Sequence, residues 1–126
     1  MRGVILAGLV LCGACGGRSN DEAPPRSEDA ARAVEAWFAT AAAKDCDALR
    51  AMTIPSLDAA LCEQFLSEFH GRGTRLLAVE SATPDSRMVG SFVVQTSVYF
   101  RHRSTNKHRW MLRVERERGT WKVHTP

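Results

Sequence analysis

RMVGSFVVQTSVYFRH, residues 87–102, places Met88, Phe92, Val94, Val98 and Phe100 at alternating positions, with mostly polar residues between them. A period of two is what a strand with one buried face requires, because successive side chains leave a pleated backbone on opposite sides. The next segment, KHRWMLRVERE (107–117), repeats the pattern with Trp110, Leu112 and Val114. Trp121 and Val123 continue it into a last short strand. A slip of one residue would turn a whole apolar set into solvent, so these faces constrain the pairing register. A three-residue loop at Ser104–Asn106 would set Phe100 opposite Trp110 and Val98 opposite Leu112. A two-residue turn at Arg118 and Gly119 would set Val114 opposite Val123 on the inner face and Glu115 opposite Lys122 on the outer face.

Upstream, the alternation begins at Thr74, giving a first strand to about Ala82 and a turn around Pro84 and Asp85. Before Thr74 the apolar period is helical. Helix one starts with Ser27 as its N-cap, has Glu28 and Asp29 in its first turn, and runs to about Lys44 with Ala30, Val34, Trp37, Phe38 and Ala41 as its stripe. A short second helix follows Asp45 and presents Leu49 and Met52. A third follows Pro55 with Ser56 as its cap, carries Leu57, Leu61, Phe65, Leu66 and Phe69, and stops at Gly71. The expected class is α+β: three N-terminal helices packed on a four-stranded antiparallel meander. With 126 residues, 44% hydrophobic and 25% charged, the chain has room for one core and not for a second domain.

The N-terminus reads as an address. MRGVILAGLVLCGACGG (1–17) has one early cation, Arg2, an apolar run from Val4 to Leu11 and small residues around Cys15. That is the layout of an export signal, and the run is too short for a permanent span. Leu11, Cys12, Gly13, Ala14 and Cys15 resemble the lipobox of bacterial lipoproteins, departing from it at Cys12, where an aliphatic residue is usual. The resemblance implies a signal peptide over 1–14 and a lipid on Cys15; ordinary cleavage after Ala14 is the alternative. Gly16, where such proteins usually carry Asp for inner-membrane retention, points to an outer-membrane address facing the periplasm. Residues 15–27, rich in Gly, Ser, Pro and charge, form a tether. The domain then spans 28–126. In an oxidising compartment the two remaining thiols, Cys46 and Cys62, pair as a disulfide, with two buried free thiols as the alternative.

The opening helix ARAVEAWFATAAAKDCDAL (31–49) and the closing GTWKVHT (119–125) are similar to the nuclear transport factor 2-like superfamily, and within it to small bacterial lipoproteins. The resemblance implies a strongly curved sheet wrapped around the helices as a cone with a pocket; Trp37, Phe38, Phe100, His102 and Trp110 are the candidate lining, with plain core as the favoured reading of aromatic residues at helical and strand spacing. Enzymes of this superfamily work with a carboxylate base inside the cone. Here Glu115, Glu117 and Tyr99 fall on the opposite face, leaving Thr96 and His102, so no catalytic residue is assigned. His102 and His108 face each other across the hairpin end without a third ligand, which argues against a metal site. Nothing implies a cofactor.

Charge is distributed unevenly. Ser19–His70 holds four basic and ten acidic residues, whereas Gly71–Pro126 holds eleven basic and four acidic. Arg101, Arg103, Lys107, Arg109 and Arg113 cluster in one hairpin, a footprint for an anionic lipid or an acidic protein surface. No nucleic-acid motif accompanies them. The expectation is a non-catalytic, lipid-anchored envelope accessory protein, monomeric or weakly dimeric, that binds an anionic partner or small ligand. A small enzyme and a structural spacer are the alternatives.

Overall fold

In a computed structural model, residues 24–125 are described; the expected signal peptide, Cys15 and most of the tether lie outside them. Helix α1 (Ser27–Ala42) and helix α2 (Cys46–Ala51) are followed by a short strand β1 (Thr53–Ile54) and helix α3 (Ala59–Gly71). Strands β2 (Arg75–Pro84), β3 (Ser91–Tyr99), β4 (Lys107–Glu117) and β5 (Thr120–His124) complete the chain. They form one five-stranded sheet in the order β1-β5-β4-β3-β2, with β1 parallel to β5 and the remaining pairs antiparallel.

Two expectations are corrected by this topology. The sheet is mixed and five-stranded rather than a four-stranded meander, because Thr53 and Ile54 pair with Val123 and His124 and extend it sideways. It is also open and flat, not closed or strongly curled, so the cone of the nuclear transport factor 2-like superfamily is absent. The helices cover one face and leave the other to solvent.

The core lies under that covered face. Val34, Trp37 and Ala41 of α1 are fully buried together with Val94, Val98, Val114 and Leu49. Trp37 Nε1 donates to Thr53 Oγ1 (3.0 Å), whose hydroxyl donates to the Leu49 carbonyl (2.5 Å), so this buried polar chain is satisfied and ties α1 to α2 and β1. Cys46 and Cys62 are disulfide-bonded with their Cα atoms 6.1 Å apart, joining α2 to α3. The two cysteines are 16 positions apart, and closing a loop of that length contributes about 3 kcal/mol in the chain-entropy model.

Helix starts differ from expectation by one or two residues. Ser27 is the first residue of α1 rather than its cap, and the preceding Arg26 makes no side-chain cap. Asp58, not Ser56, caps α3 by accepting from Leu61 N at 2.8 Å. Starting α3 there turns Cys62, Leu66 and Phe69 inward and leaves Leu61 half exposed.

The β4–β5 turn has Arg118 (φ 53°) and Gly119 (φ 81°) both left-handed, and it pairs Val114 with Val123 and Glu115 with Lys122 as expected. The β3–β4 register is different. Thr96, not Phe100, sits in the inward row opposite Trp110, Val98 faces His108 and not Leu112, and Phe100 N donates to Asn106 O across a longer loop. The displacement is even, so the inner faces are preserved while every partner moves by four positions. Met88 is not on the core face: β3 begins only at Ser91, and Met88 stands in the loop before it. Edge strand β2 carries two bulges, at Leu76/Ala78 and Val79/Ser81, which interrupt the template a straight edge would offer another chain. Among the described residues no helix is long and apolar enough to cross a membrane.

Candidate binding cleft

The strand directions give the sheet two ends. One holds the C-termini of α1 and α3 and the 100–106 loop; the other holds the start of α1, the 85–90 loop and the 118–119 turn.

At the first end α3 runs out at Gly71, with Arg72 N donating to Glu68 O and Thr74 N to Phe69 O. Gly73 takes a left-handed φ of +65°, and a Cβ there would come within 3.0 Å of the Arg101 guanidinium. Glycine therefore lets the hairpin close onto the helix end. Arg101 completes the closure: its backbone N donates to Arg72 O (3.0 Å) and its Nη2 donates to the Gly71 carbonyl.

Between α3 and this hairpin lies a cleft of about 420 Å³, within the size range of small-molecule sites. Its floor is Phe65, Phe69, Phe100 and Trp110; its rim is Glu68, Arg72 and Thr74. The aromatic rings support one another: Phe100 stacks on His108 at 3.7 Å and 9°, Phe100 and Trp110 are 5.6 Å apart, and Phe65 and Phe69 are 5.9 Å apart. The Arg72 guanidinium sits 5.9 Å over the Phe100 ring, and its Nη1 donates to His102 Nδ1 at 3.4 Å. Arginine has no acceptor atom, so that ring nitrogen is the accepting one. His108 Nε2 donates to Phe100 O (3.3 Å).

The residues expected to share a pocket divide. Phe100 and Trp110 line the cleft and His102 is exposed at its margin, whereas Trp37 and Phe38 are core side chains, 0% and 4% exposed. Phe38 does support the floor from below, 6.0 Å from Trp110. Thr96 is fully buried with its hydroxyl donated to Trp110 O, and the chain does not bring it to His102. The rings of His102 and His108 lie 6.2 Å apart, and no group of three metal-ligating side chains exists among the described residues.

The five hairpin cations also divide. Arg103 (φ 54°), Lys107 and Arg109 are exposed. Arg101 is committed to the α3 terminus, and Arg113 is committed to Asp85, its Nε donating to Oδ2 at 3.1 Å. Two further cations join this end. Arg72 reaches it from α3, and Arg75 lies 4.3 Å over the Tyr99 ring on the outer face, beside the strand that carries Lys107 and Arg109. Sequence reading missed both, because only the folded chain brings the start of β2 against the hairpin. Elsewhere on the outer face, charges pair off: His124 Nε2 donates to Glu115 (2.9 Å) and Lys122 meets Glu117 (3.1 Å).

A second cavity, about 540 Å³, lies between α1, α2 and β5 over Ala33, Ala36, Ala48, Met52 and Trp121. Its charged rim is internally neutralised, Asp29 pairing with Arg32 at 3.8 Å and with Arg26 at 3.6 Å. No protein-family model matches the chain, and no curated protein matches it significantly.

Proposed function

We propose that this protein is a non-catalytic, lipid-anchored accessory component of the bacterial envelope whose cleft binds a small amphipathic anion, an apolar body carrying a carboxylate or phosphate. The observation that carries this function is the meeting of an aromatic cleft with a group of cations that lack carboxylate partners. Arg72, Arg75, Arg103, Lys107 and Arg109 form no ion pair with a described carboxylate. An apolar body would take the place of solvent over Phe65, Phe69, Phe100 and Trp110, while Arg72 on the rim meets its charge directly and Arg103 in the loop, with Lys107 and Arg109 on the outer face of the same hairpin, attracts it at longer range. Glu68 on the rim disfavours a ligand with negative charge at both ends. Anchoring enters through Cys15, with delivery to the periplasmic side of the outer membrane, and is tested by intact mass of the native product.

Calorimetric titration with dodecyl phosphate below its micellar concentration tests the binding role, with octyl glucoside as the uncharged counterpart. Arg103→Glu/Lys107→Glu/Arg109→Glu leaves the cleft floor and the two committed arginines intact. It is expected to weaken dodecyl phosphate binding roughly tenfold or more, with the loss diminishing in high salt. Equal affinity in parent and triple variant, or equal affinity for the uncharged amphiphile, overturns the proposal.

A further inference from the structure

At the opposite end the 85–90 loop exposes apolar side chains in a fixed shape. Val89 is entirely exposed and Met88 is 44% exposed. The loop does not owe this to slackness. The Asp85 carboxylate, its side chain only 3% exposed, accepts from Arg87 N (3.0 Å), Arg87 Nε (3.3 Å) and Arg113 Nε (3.1 Å). Asp85 N donates to Ser91 O, Met88 N to Asp85 O and Ser91 N to Met88 O, while Gly90 takes φ +86°. With its base held this way, the tip cannot fold Met88 and Val89 back onto the sheet without breaking the hydrogen bonds to the buried Asp85 carboxylate.

Two further observations say what covers the tip. It is cationic at its margins: Arg87 gives Asp85 only its Nε and amide and is 72% exposed, and the exposed Arg118 occupies the turn at the same end of the sheet. It is also the end from which the chain leaves toward its N-terminus. Asp29 and Arg32 of α1 line a cavity with Thr120 and Trp121; Trp121 packs on Phe92 at 5.8 Å, and Phe92 pairs with Pro84, next to Asp85. Nine positions separate Cys15 from Pro24, a reach of at most about 30 Å.

We propose that the 85–90 loop is a second membrane contact, in which Met88 and Val89 enter the surface of an anionic bilayer while Arg87 and Arg118 meet its headgroups. The orientation part of this rests on the anchoring of Cys15 proposed above. The apolar tip and the tether then share one bilayer, and the cleft at the far end of the sheet faces away from it. Weak insertion by two apolar side chains and their flanking cations would not replace the lipid on Cys15 but would fix how the domain sits on the bilayer that lipid holds it to.

The test uses the chain from residue 15 onward carrying Cys15→Ser, so that no acyl group contributes; it retains every element of the fold, since α1 begins at Ser27. Sedimentation with phosphatidylglycerol/phosphatidylethanolamine vesicles, at on the order of millimolar lipid, is expected to show partitioning that Val89→Asp lowers roughly tenfold. Circular dichroism verifies that the variant remains folded. In a separate readout, Val89→Trp should be quenched by brominated acyl chains and Thr105→Trp, at the cleft end, should not. No partitioning by the parent, equal partitioning of parent and Val89→Asp, or quenching at both ends overturns the proposal. So does self-association abolished by Val89→Asp, which would assign the tip to a second copy of this chain. An unacylated Cys15 in the native product removes the anchor while leaving the vesicle result to stand or fall separately.

Discussion

The 85–90 and 100–106 loops both join antiparallel neighbours of one sheet, at opposite ends, and they are held by different means. The first closes around a buried carboxylate that accepts from Arg87 within the loop and from Arg113 of the same sheet, and it presents an apolar tip. The second is held from outside, by Arg101 reaching the end of α3, and leaves Arg103 and Lys107 exposed. A self-contained loop keeps its shape when distant helices loosen; a loop stapled to a helix follows that helix. What distinguishes the two ends is thus the location of the restraint, and each can be disturbed without the other.

The most severe disturbance is removal of the disulfide. Cys46→Ala/Cys62→Ala, measured by denaturant unfolding, should cost about 3 kcal/mol. Its local consequence separates the two ends. Hydrogen exchange should rise in α2, α3 and the hairpin amides that depend on α3, notably Arg101, while Arg87 and Ser91 retain their protection up to global unfolding. Earlier loss of protection at Arg87 would mean that the two ends are not independent.

Next in size is Asp85→Asn. The Arg87 backbone and side-chain hydrogen bonds, opposed by desolvation and assisted by the charges of Arg87 and Arg113, hold the Asp85 carboxyl below its ordinary value of 3.8. A carboxyl depressed in the folded state binds fewer protons there than when unfolded. Its contribution is complete above the unfolded value and is lost as pH falls through the lower folded value. Asp85→Asn should therefore melt below the parent at pH 7, and the gap should narrow only in the acid range under about 3.8. The variant should also partition less onto vesicles, with dodecyl phosphate binding at the far end unchanged. A gap that persists unaltered to pH 2 would show that the carboxylate's charge does not hold the loop.

How far each end was legible in the sequence follows from where its restraints lie. The β4–β5 pairing was readable because Arg118–Gly119 and the Val114–Val123 pair are local, and the turn alone fixes the register. The β3–β4 pairing was readable only to its faces. Its loop length is set by Arg101 bonding to Gly71 and Arg72, about thirty positions away, and no local rule carries that information. Asp85 reads as an ordinary turn residue until Arg113, 28 positions on, is found beside it. Arg113 itself read as a free surface cation for the same reason. Strand β1 is two residues long, too short for any period to show, so the fifth strand that makes the sheet mixed was not readable. The aromatic floor was half readable: Phe100 and Trp110 alternate as strand residues should, but which apolar side chains line a cleft and which fill the core depends on how α3 lies over the hairpin.

The smallest expected effects come from backbone conformation, and they have opposite signs at the two ends. Gly90 (φ +86°) and Arg103 (φ 54°) both occupy left-handed space, where a Cβ is disfavoured by about 1 kcal/mol. A Cβ at Gly90 would meet nothing within 4 Å, so any loss in Gly90→Ala reports conformation alone. That variant should lose up to about 1 kcal/mol in denaturant unfolding, whereas Arg103→Gly should be neutral or gain a few tenths, since relief of strain is offset by the greater freedom of an unfolded glycine. If the self-contained loop is the more rigid of the two, the strain at residue 90 cannot be relieved by local shifts and the full penalty appears. The 100–106 loop can relax around residue 103, because its restraint acts only through Arg101. Equal and opposite changes of full size at both positions would mean that the exposed hairpin is as tightly held as the Asp85 loop, and the difference between the two ends would then lie in charge and not in restraint.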